Sequence, residues 1–253
     1  MKRNLSLIYE KFYKGIKLQK RIIGRKNFTY RLILDVLEPN LTKGKQVLDI
    51  GCGAGTLSFY IASKGCYVNG IDISLKAIEA CRLNAKKLNV EKNTKFQAAE
   101  FLEVEINRKF DLILCNEVLE HLINDNLAIE KIFSSLKIGG IAIITVPLQN
   151  APLFRWGFMK KFDRSVGHLR RYNTDQLINL IKKKNFEIIE EKRIEGVFRN
   201  FLFTSRFGGQ IVRIANRFAI VSDFLTFLDN ITLKLFGESQ IIVVAQKPRK
   251  ERK

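Results

Sequence analysis

Apolar positions change their period several times along the chain, and each change marks an element. QVLDI (46–50) is a short apolar run that stops at a glycine cluster, and Thr56 to Ser63 behind it reads as a helix. YVNGIDI (67–73) predicts the next strand. Leu75 to Leu88 then carries apolar residues at helical spacing, opening after Ser74, whose hydroxyl can cap the free N–H groups of a first turn. TKFQAA, FDLILCNE and GGIAIITVP predict three more strands, with a helix between the second and third. Unbroken apolar runs such as LILC and IAIIT suit strands covered on both faces, as in a parallel sheet. Strands alternating with helices form right-handed βαβ units, so the predicted fold class is α/β, a doubly wound and mostly parallel sheet.

The two ends follow a different pattern. Residues 1 to about 45 predict helices: Leu7, Ile8, Phe12 and Ile16 recur at roughly helical intervals among lysines and arginines, and a second helix covers Tyr30 to Leu37 and stops before Pro39. After Pro147 a loop, QNAPLFRWGFMKKFDRSVGHLRRY, leads to a helix opening near Thr174. NFEIIEEKRIE and SQIIVVAQKP predict the last two strands, separated by residues 197–236, which are dense in Phe, Leu and Ile and punctuated by arginines. The predicted organisation is an N-terminal helical extension (1–40) and a main domain (41–253), with 197–236 as a helical cap inserted before the last strand.

Composition narrows this picture. With 253 residues, 46% hydrophobic and 27% charged, the chain can bury a sizeable α/β core and is not a disordered polymer. No stretch reaches the roughly 18 unbroken apolar residues of a spanning helix. Cys52, Cys66, Cys81 and Cys115 lack CxxC spacing, and the basic N-terminus lacks the apolar run of a signal sequence. Both features predict reduced thiols in a cytoplasmic protein, at most peripheral on the inner face of the membrane. The balance of 44 Lys+Arg against 25 Asp+Glu gives a net charge of +19, which favours anionic partners such as nucleic acid, anionic lipid or phosphorylated substrates. The same excess arises where genomic base composition enriches Lys, Ile and Asn together, so charge alone names no partner.

The chemistry concentrates in Val47-Leu48-Asp49-Ile50-Gly51-Cys52-Gly53-Ala54-Gly55-Thr56, where a buried strand runs into three alternating glycines and then a helix. Glycine leaves no Cβ between backbone and ligand, and the helix start presents free N–H groups. A lone glycine loop also serves nicotinamide dinucleotide domains. Here the spacing is GxGxG rather than GxGxxG, Asp49 precedes the loop, and Asp72 ends the next strand, where an acid can accept both hydroxyls of a ribose.

Residues 47–56 resemble motif I of the class I methyltransferases, and GIDIS (70–74) resembles their second-strand motif. FDLILCNEVLEHL (110–122) is similar to the strand-4 motif and LKIGGIAIITVP (136–147) to the strand-5 motif, all in family order, covering roughly residues 40 to 190. The resemblance implies a Rossmann-like fold and an enzyme that uses S-adenosyl-L-methionine. It implies that the ribose lies on Asp72 beside Ile73, and that Asp49 orients the methionine end with the backbone of Gly51, Cys52, Gly53 and Gly55. Ala99 and Glu100 occupy the adenine-side loop, and Asn116 and Glu117 the end of the fourth strand. Intact glycines and acids weigh against a non-catalytic cofactor-binding partner module, the alternative from another functional class.

Only two histidines are present, His121 and His168. Glu117, Glu120 and His121 form an ExxEH pattern where the fourth strand gives way to a helix, and His168 sits in GHLRRY, in the loop after the fifth strand. Three readings compete. His121 or His168 acts as a general base. Alternatively, Glu117, Glu120, His121 and His168 hold a divalent metal, an arrangement similar to that of metal-dependent small-RNA 2′-O-methyltransferases. Finally, the segment only lines the cofactor pocket. The ExxEH also resembles ubiquinone-pathway O-methyltransferases.

Arg170 and Arg171 read either as an anion clamp for a phosphate or carboxylate, or as a solvated basic turn. In the cap, Ile211, Val212, Ile214, Ala215 and Phe218 make one apolar helical face flanked by Arg213 and Arg217, suited to packing on the sheet or to an anionic membrane surface. The expected acceptor is a small molecule methylated on oxygen, anionic, lipid-linked, saccharide or phenolic in character. RNA ranks behind it because no RNA-binding module is evident.

Overall fold

The computed structural model describes residues 8–11, 13, 15, 18–205 and 207–249. Leu7, Phe12, Ile16 and Arg206 lie outside the described residues.

The chain enters through α1 (Arg31–Leu37), then alternates: β1 (Gln46–Ile50), α2 (Thr56–Ser63), β2 (Tyr67–Asp72), α3 (Leu75–Lys87), β3 (Thr94–Ala98), β4 (Phe110–Asn116), α4 (Asp125–Ser135) and β5 (Leu136–Pro147). After it come α5 (Pro152–Arg155), α6 (Lys160–Val166), α7 (Thr174–Lys182) and β6 (Glu187–Ile194). Three cap helices, α8 (Val197–Thr204), α9 (Gly208–Ala215) and α10 (Ala219–Phe236), precede the last strand, β7 (Gln240–Gln246).

Seven strands form one sheet in the order β3-β2-β1-β4-β5-β7-β6. All neighbours are parallel except β7, which runs antiparallel to both β5 and β6. The unbroken apolar strands are explained by burial on both faces. Leu48, Ile113, Ile144 and Val243 point into one core layer, while their neighbours Val47, Leu112, Ile143 and Ile242 point into the other. Strand order reverses between β1 and β4, and the crevice at the carboxyl ends of these two strands is where such sheets bind ligands.

Local chemistry explains the boundaries. Ser74 caps α3 by accepting from the Ala77 N–H. Asn173, not Thr174, caps α7, accepting from Asp175, and residues 18–29 run as turns rather than as the helix their apolar spacing predicts. The ExxEH segment is not on an α-helix: Leu119–His121 is a 3₁₀ turn, and α4 starts four residues later behind Asn124. Among the described residues, no helix is long and apolar enough to cross a membrane.

Candidate active site

β1 delivers the glycine loop to the crevice. Gly51 (φ 65°) and Gly53 (φ 53°) occupy the left-handed region that only glycine enters cheaply. A Cβ on Gly51 would stand 2.3 Å from Val118 Cγ2, in the segment after β4. Gly51→Ala therefore combines backbone strain with a clash, and about 1–3 kcal/mol of stability should be lost together with the shape of the crevice. Thermal unfolding checks the first effect and ligand titration the second.

Asp72 closes β2. Its Oδ2 accepts the Gly53 N–H and its Oδ1 the Ser74 N–H, both at 2.9 Å, so one carboxylate ties the loop to the start of α3. Each oxygen retains a further lone pair. Asp49 lies beneath the loop, 3% exposed, with its Oδ2 accepting from Ser58 Oγ at 2.5 Å. It supports the loop from below rather than lining the crevice. Cys52, Gly53 and Gly55 likewise shape the loop without lining the cavity, and Asn116 faces the opposite side of Glu117.

The cavity over the loop measures about 160 Å³. Of the residues singled out in the sequence, Gly51, Asp72, Ile73, Ala99, Glu100, Glu117 and His121 meet there. Ile71, Phe101, Val118 and Leu122 add apolar walls. Tyr9 and Tyr13 come from the N-terminal segment. The Tyr9 hydroxyl lies 2.9 Å from His121 Nδ1 and 3.2 Å from the Val166 carbonyl, and Glu10 Oε1 accepts from Ser74 Oγ at 2.9 Å. The segment therefore crosses the open edge of the sheet. Burial raises the Tyr9 phenol, which stays protonated.

Glu120, His121 and His168 converge beside this cavity. Glu120 is fully buried, and neither of its carboxyl oxygens has a hydrogen-bond partner among the described residues. His121 Nε2 lies 3.9 Å and His168 Nε2 3.8 Å from Glu120 Oε1. The far nitrogens define both tautomers. His168 Nδ1 is 3.0 Å from Asp163 Oδ1 and His121 Nδ1 is 3.1 Å from the Gly167 carbonyl, both of which only accept, and the Tyr9 hydroxyl beside His121 Nδ1 donates to the Val166 carbonyl, so each Nδ1 carries the hydrogen. Burial would raise Asp163, but hydrogen bonds from Arg171 and His168 outweigh it and hold the carboxyl at about 2. Two Nε2 lone pairs thus face one unpartnered carboxyl. Burial lowers His121 to about 4 and pushes Glu120 well above the carboxylate range, an effect that Glu117 reinforces.

Glu117 forms the wall between this cavity and pockets on its other side. It sits at φ 55°, unusual for a residue with a side chain. Its Oε2 accepts from Gln240 Nε2 at 3.1 Å. Behind it, Glu195, Asn200, Gln240 and Phe203 line a space of about 180 Å³ that also reaches Phe162 and His168. Asn200 Oδ1 is buried there without a partner. The two arginines of GHLRRY do not serve as a free anion clamp: Arg171 grips Asp163 with two bonds at 2.8 and 2.7 Å, and Arg170 pairs with Asp125 at 2.7 Å.

Burial raises Asp49 to about 7, and raises Glu117 to about 8 and Glu195 to about 7, with a neighbouring carboxyl adding to burial in all three. The folded state then holds protons that an unfolded chain has released, so these groups make the fold less stable as pH rises. Lowered His121 works in the opposite sense, but only below its ordinary 6.5. The melting temperature of the ligand-free protein should therefore fall between about pH 6.5 and pH 8, and Asp49→Asn should flatten part of the slope. A melting temperature rising across that window would contradict the assignment.

A family profile described as a methyltransferase domain matches residues 41–198, more than half of the chain. The chain belongs to the class I methyltransferases. Ubiquinone biosynthesis O-methyltransferase of Psychrobacter cryohalolentis is 33% identical over 109 residues, covering 42% of each chain. Its counterpart from Coxiella burnetii is 37% identical over 108 residues, covering 42% of this chain and 46% of the relative. The match thus spans less than half the length of these relatives. Among solved structures, Haemonchus contortus phosphoethanolamine N-methyltransferase 2 in complex with S-adenosyl-L-methionine superposes with a TM-score of 0.67 at 20% identity, covering 87% of this chain and 53% of that one. The [4+2]-cyclase SpnF gives 0.67 at 18%, covering 98% and 94%. These last two likenesses establish fold alone.

In this class I methyltransferase, several residues of the site escape motif reading. Tyr9 and Tyr13 show only as aromatic residues four apart in a basic segment. Glu195 and Gln240 lie on either side of the cap, and tertiary structure alone brings them to Glu117.

Proposed function

We propose that the protein transfers a methyl group from S-adenosyl-L-methionine to a hydroxyl oxygen of a small-molecule acceptor seated behind Glu117. The observation that carries this reading is the adjacency of two cavities across Glu117, one over the glycine loop and one facing His168. The first fits the cofactor. Asp72 offers lone pairs for a ribose diol, the Gly51 backbone lines the crevice, and Ile73, Ala99, Phe101 and Leu122 make an apolar slot for a flat base. When bound, the cofactor supplies an electrophilic methyl on a sulfonium, which is already a good leaving group.

The chain's own residues orient the acceptor and take its proton. Asn200 Oδ1 presents a hydrogen-bond acceptor, and the Glu117 and Glu195 carboxyls, raised to about 8 and about 7, can both accept and donate, which suits hydroxyl groups. His168 offers Nε2 as the base; Asp163, held ionised against its Nδ1–H, stabilises the imidazolium, and the Glu120 carboxyl can ionise beside it. Tyr9 and Tyr13 exclude water over the loop. Phenolic acceptors are compatible with this pocket, in keeping with the relatives named above.

A second reading, a divalent metal at Glu120, His121 and His168, is favoured by one specific observation. The three ligand atoms lie within 4.8 Å of one another, and the carboxyl has no other partner. Both Nδ1 hydrogens are held by acceptors, an arrangement that fixes the rings with Nε2 free to bind a metal. Such an ion would lower the pKa of an acceptor hydroxyl and orient it.

Methyl incorporation into a panel of hydroxylated and phosphorylated acceptors, with chelator or with added manganese, tests both readings. Transfer to hydroxylated acceptors unaffected by chelator supports the base; transfer restored only by metal supports the ion. Cofactor binding without transfer to any acceptor would favour a binding module instead.

A further inference from the structure

We propose that the outer face of the helical cap docks on an anionic phospholipid bilayer. This surface is independent of the methyl-transfer reading and goes beyond it.

The argument starts from α10, whose polarity is inverted. Its inward residues include Ser222, Thr226 and Asp229, which are 0, 9 and 1% exposed. They are occupied by two arginines: Arg31 Nη1 donates to Ser222 and Thr226, while Arg199 is wholly buried and bonds to both Asp229 and Thr226. Its outward residues are Ile220, Phe224, Phe227, Ile231 and Leu235, which are 84, 57, 60, 40 and 69% exposed. Steps of four, three, four and four place them in one stripe along a single helix face. A helix at the surface of a soluble domain ordinarily does the reverse.

The stripe does not stand alone. In the preceding turn and helix, Phe207, Ile211, Ile214 and Phe218 are also exposed. At the far end of α10, Phe236 packs edge-on against Trp156 at 6.1 Å, and Phe158 is 73% exposed. The cap's buried hydrophobic cluster is small: Phe28, Leu202, Ala215 and Leu225, with Phe198, Phe203, Val212, Val221 and Leu228 partly buried against it. Single exposed hydrophobics need no explanation, but a run of this length marks an interaction surface.

Charge identifies the occupant. Arg213, Arg217 and Lys234 are exposed beside the stripe, and the Arg217 guanidinium lies 5.4 Å over the Phe218 ring. The only acids of residues 197–236 are Asp223 and Asp229. Asp223 pairs with Lys26 and Arg31, and Asp229 is buried on Arg199. The face is therefore apolar with an uncompensated cationic edge, on a chain of net charge +19. A second copy would bring like charge to the contact, whereas anionic headgroups neutralise it while the phenylalanines enter the acyl boundary. The placement also serves the site. α8 turns Asn200 and Phe203 towards the pocket behind Glu117 and leaves Phe201 exposed on the outside.

The test is co-sedimentation of the full chain with vesicles of phosphatidylcholine alone, or of equal parts phosphatidylcholine and phosphatidylglycerol. The protein should sediment with the mixed vesicles and be released by salt. Phe224→Ser/Phe227→Ser should weaken partition about tenfold or more, with melting temperature and cofactor affinity unchanged. Arg213→Ser/Arg217→Ser should weaken it about fivefold per charge removed. Wild-type protein left in the supernatant with anionic vesicles would overturn the proposal. So would a solution dimer that the Phe224→Ser/Phe227→Ser variant converts to monomer, because the stripe would then be a contact between copies.

Discussion

Asp72→Ala is expected to weaken S-adenosyl-L-methionine binding by about a hundredfold or more. The carboxylate works twice. Within the protein it holds the Gly53 and Ser74 N–H groups, and so the curvature of the loop and the start of α3. Towards the cavity, it offers the remaining lone pairs to a ribose diol. Two charge-assisted hydrogen bonds at about 1.5–3 kcal/mol each amount to at least a hundredfold in affinity. Asp72→Asn keeps one acceptor oxygen and should fall between wild type and alanine. Calorimetric titration measures the ladder, with thermal unfolding as the control for a collapsed loop. Equal affinity in all three proteins would remove Asp72 from the binding site.

Glu120→Gln is expected to lower the rate of methyl transfer by about a hundredfold to ten-thousandfold while leaving cofactor affinity close to wild type. Both Nε2 atoms face Glu120, which has no hydrogen-bond partner of its own among the described residues. If His168 accepts the proton, the amide, unlike the carboxyl, cannot ionise to balance the imidazolium. If an ion sits there, the amide is a poor ligand, and added manganese should not restore the rate. The same substitution should not destabilise the fold, and should raise its stability slightly above pH 7, because an unpartnered buried carboxyl is replaced by a neutral group of the same size. Steady-state kinetics and a melting curve on one preparation separate this from general damage. Retained activity would show the cluster to be structural.

The central strands and the loop between β1 and α2 were legible because local chemistry dictates them. QVLDI, LILC and IAIIT are too apolar for any position except a sheet buried on both sides, and alternating glycines with positive φ announce a ligand loop. Asp72, Ala99 and Glu100 follow from position in that frame. What stayed hidden depends on long-range contacts. Tyr9 reaches His121 across 112 positions of the chain, and no period in the sequence encodes that. Glu195 meets Glu117 only because β7 pairs with both β5 and β6 and carries Gln240 between them. The arginines of GHLRRY leave a clamp and a solvated turn both open until Asp163 and Asp125 are seen to hold them. The cap likewise leaves packing on the sheet and an anionic membrane surface both open; no period in the sequence shows that α10 turns Ser222, Thr226 and Asp229 inward onto Arg31 and Arg199.

The central claim is that the crevice between β1 and β4 is built for S-adenosyl-L-methionine. Its most direct test is parallel calorimetric titration of the full chain with S-adenosyl-L-methionine, its demethylated product and a nicotinamide dinucleotide. The account predicts saturable binding of the first two at one molecule per chain and no heat from the third. Binding of the dinucleotide, or of none of the three, would contradict it.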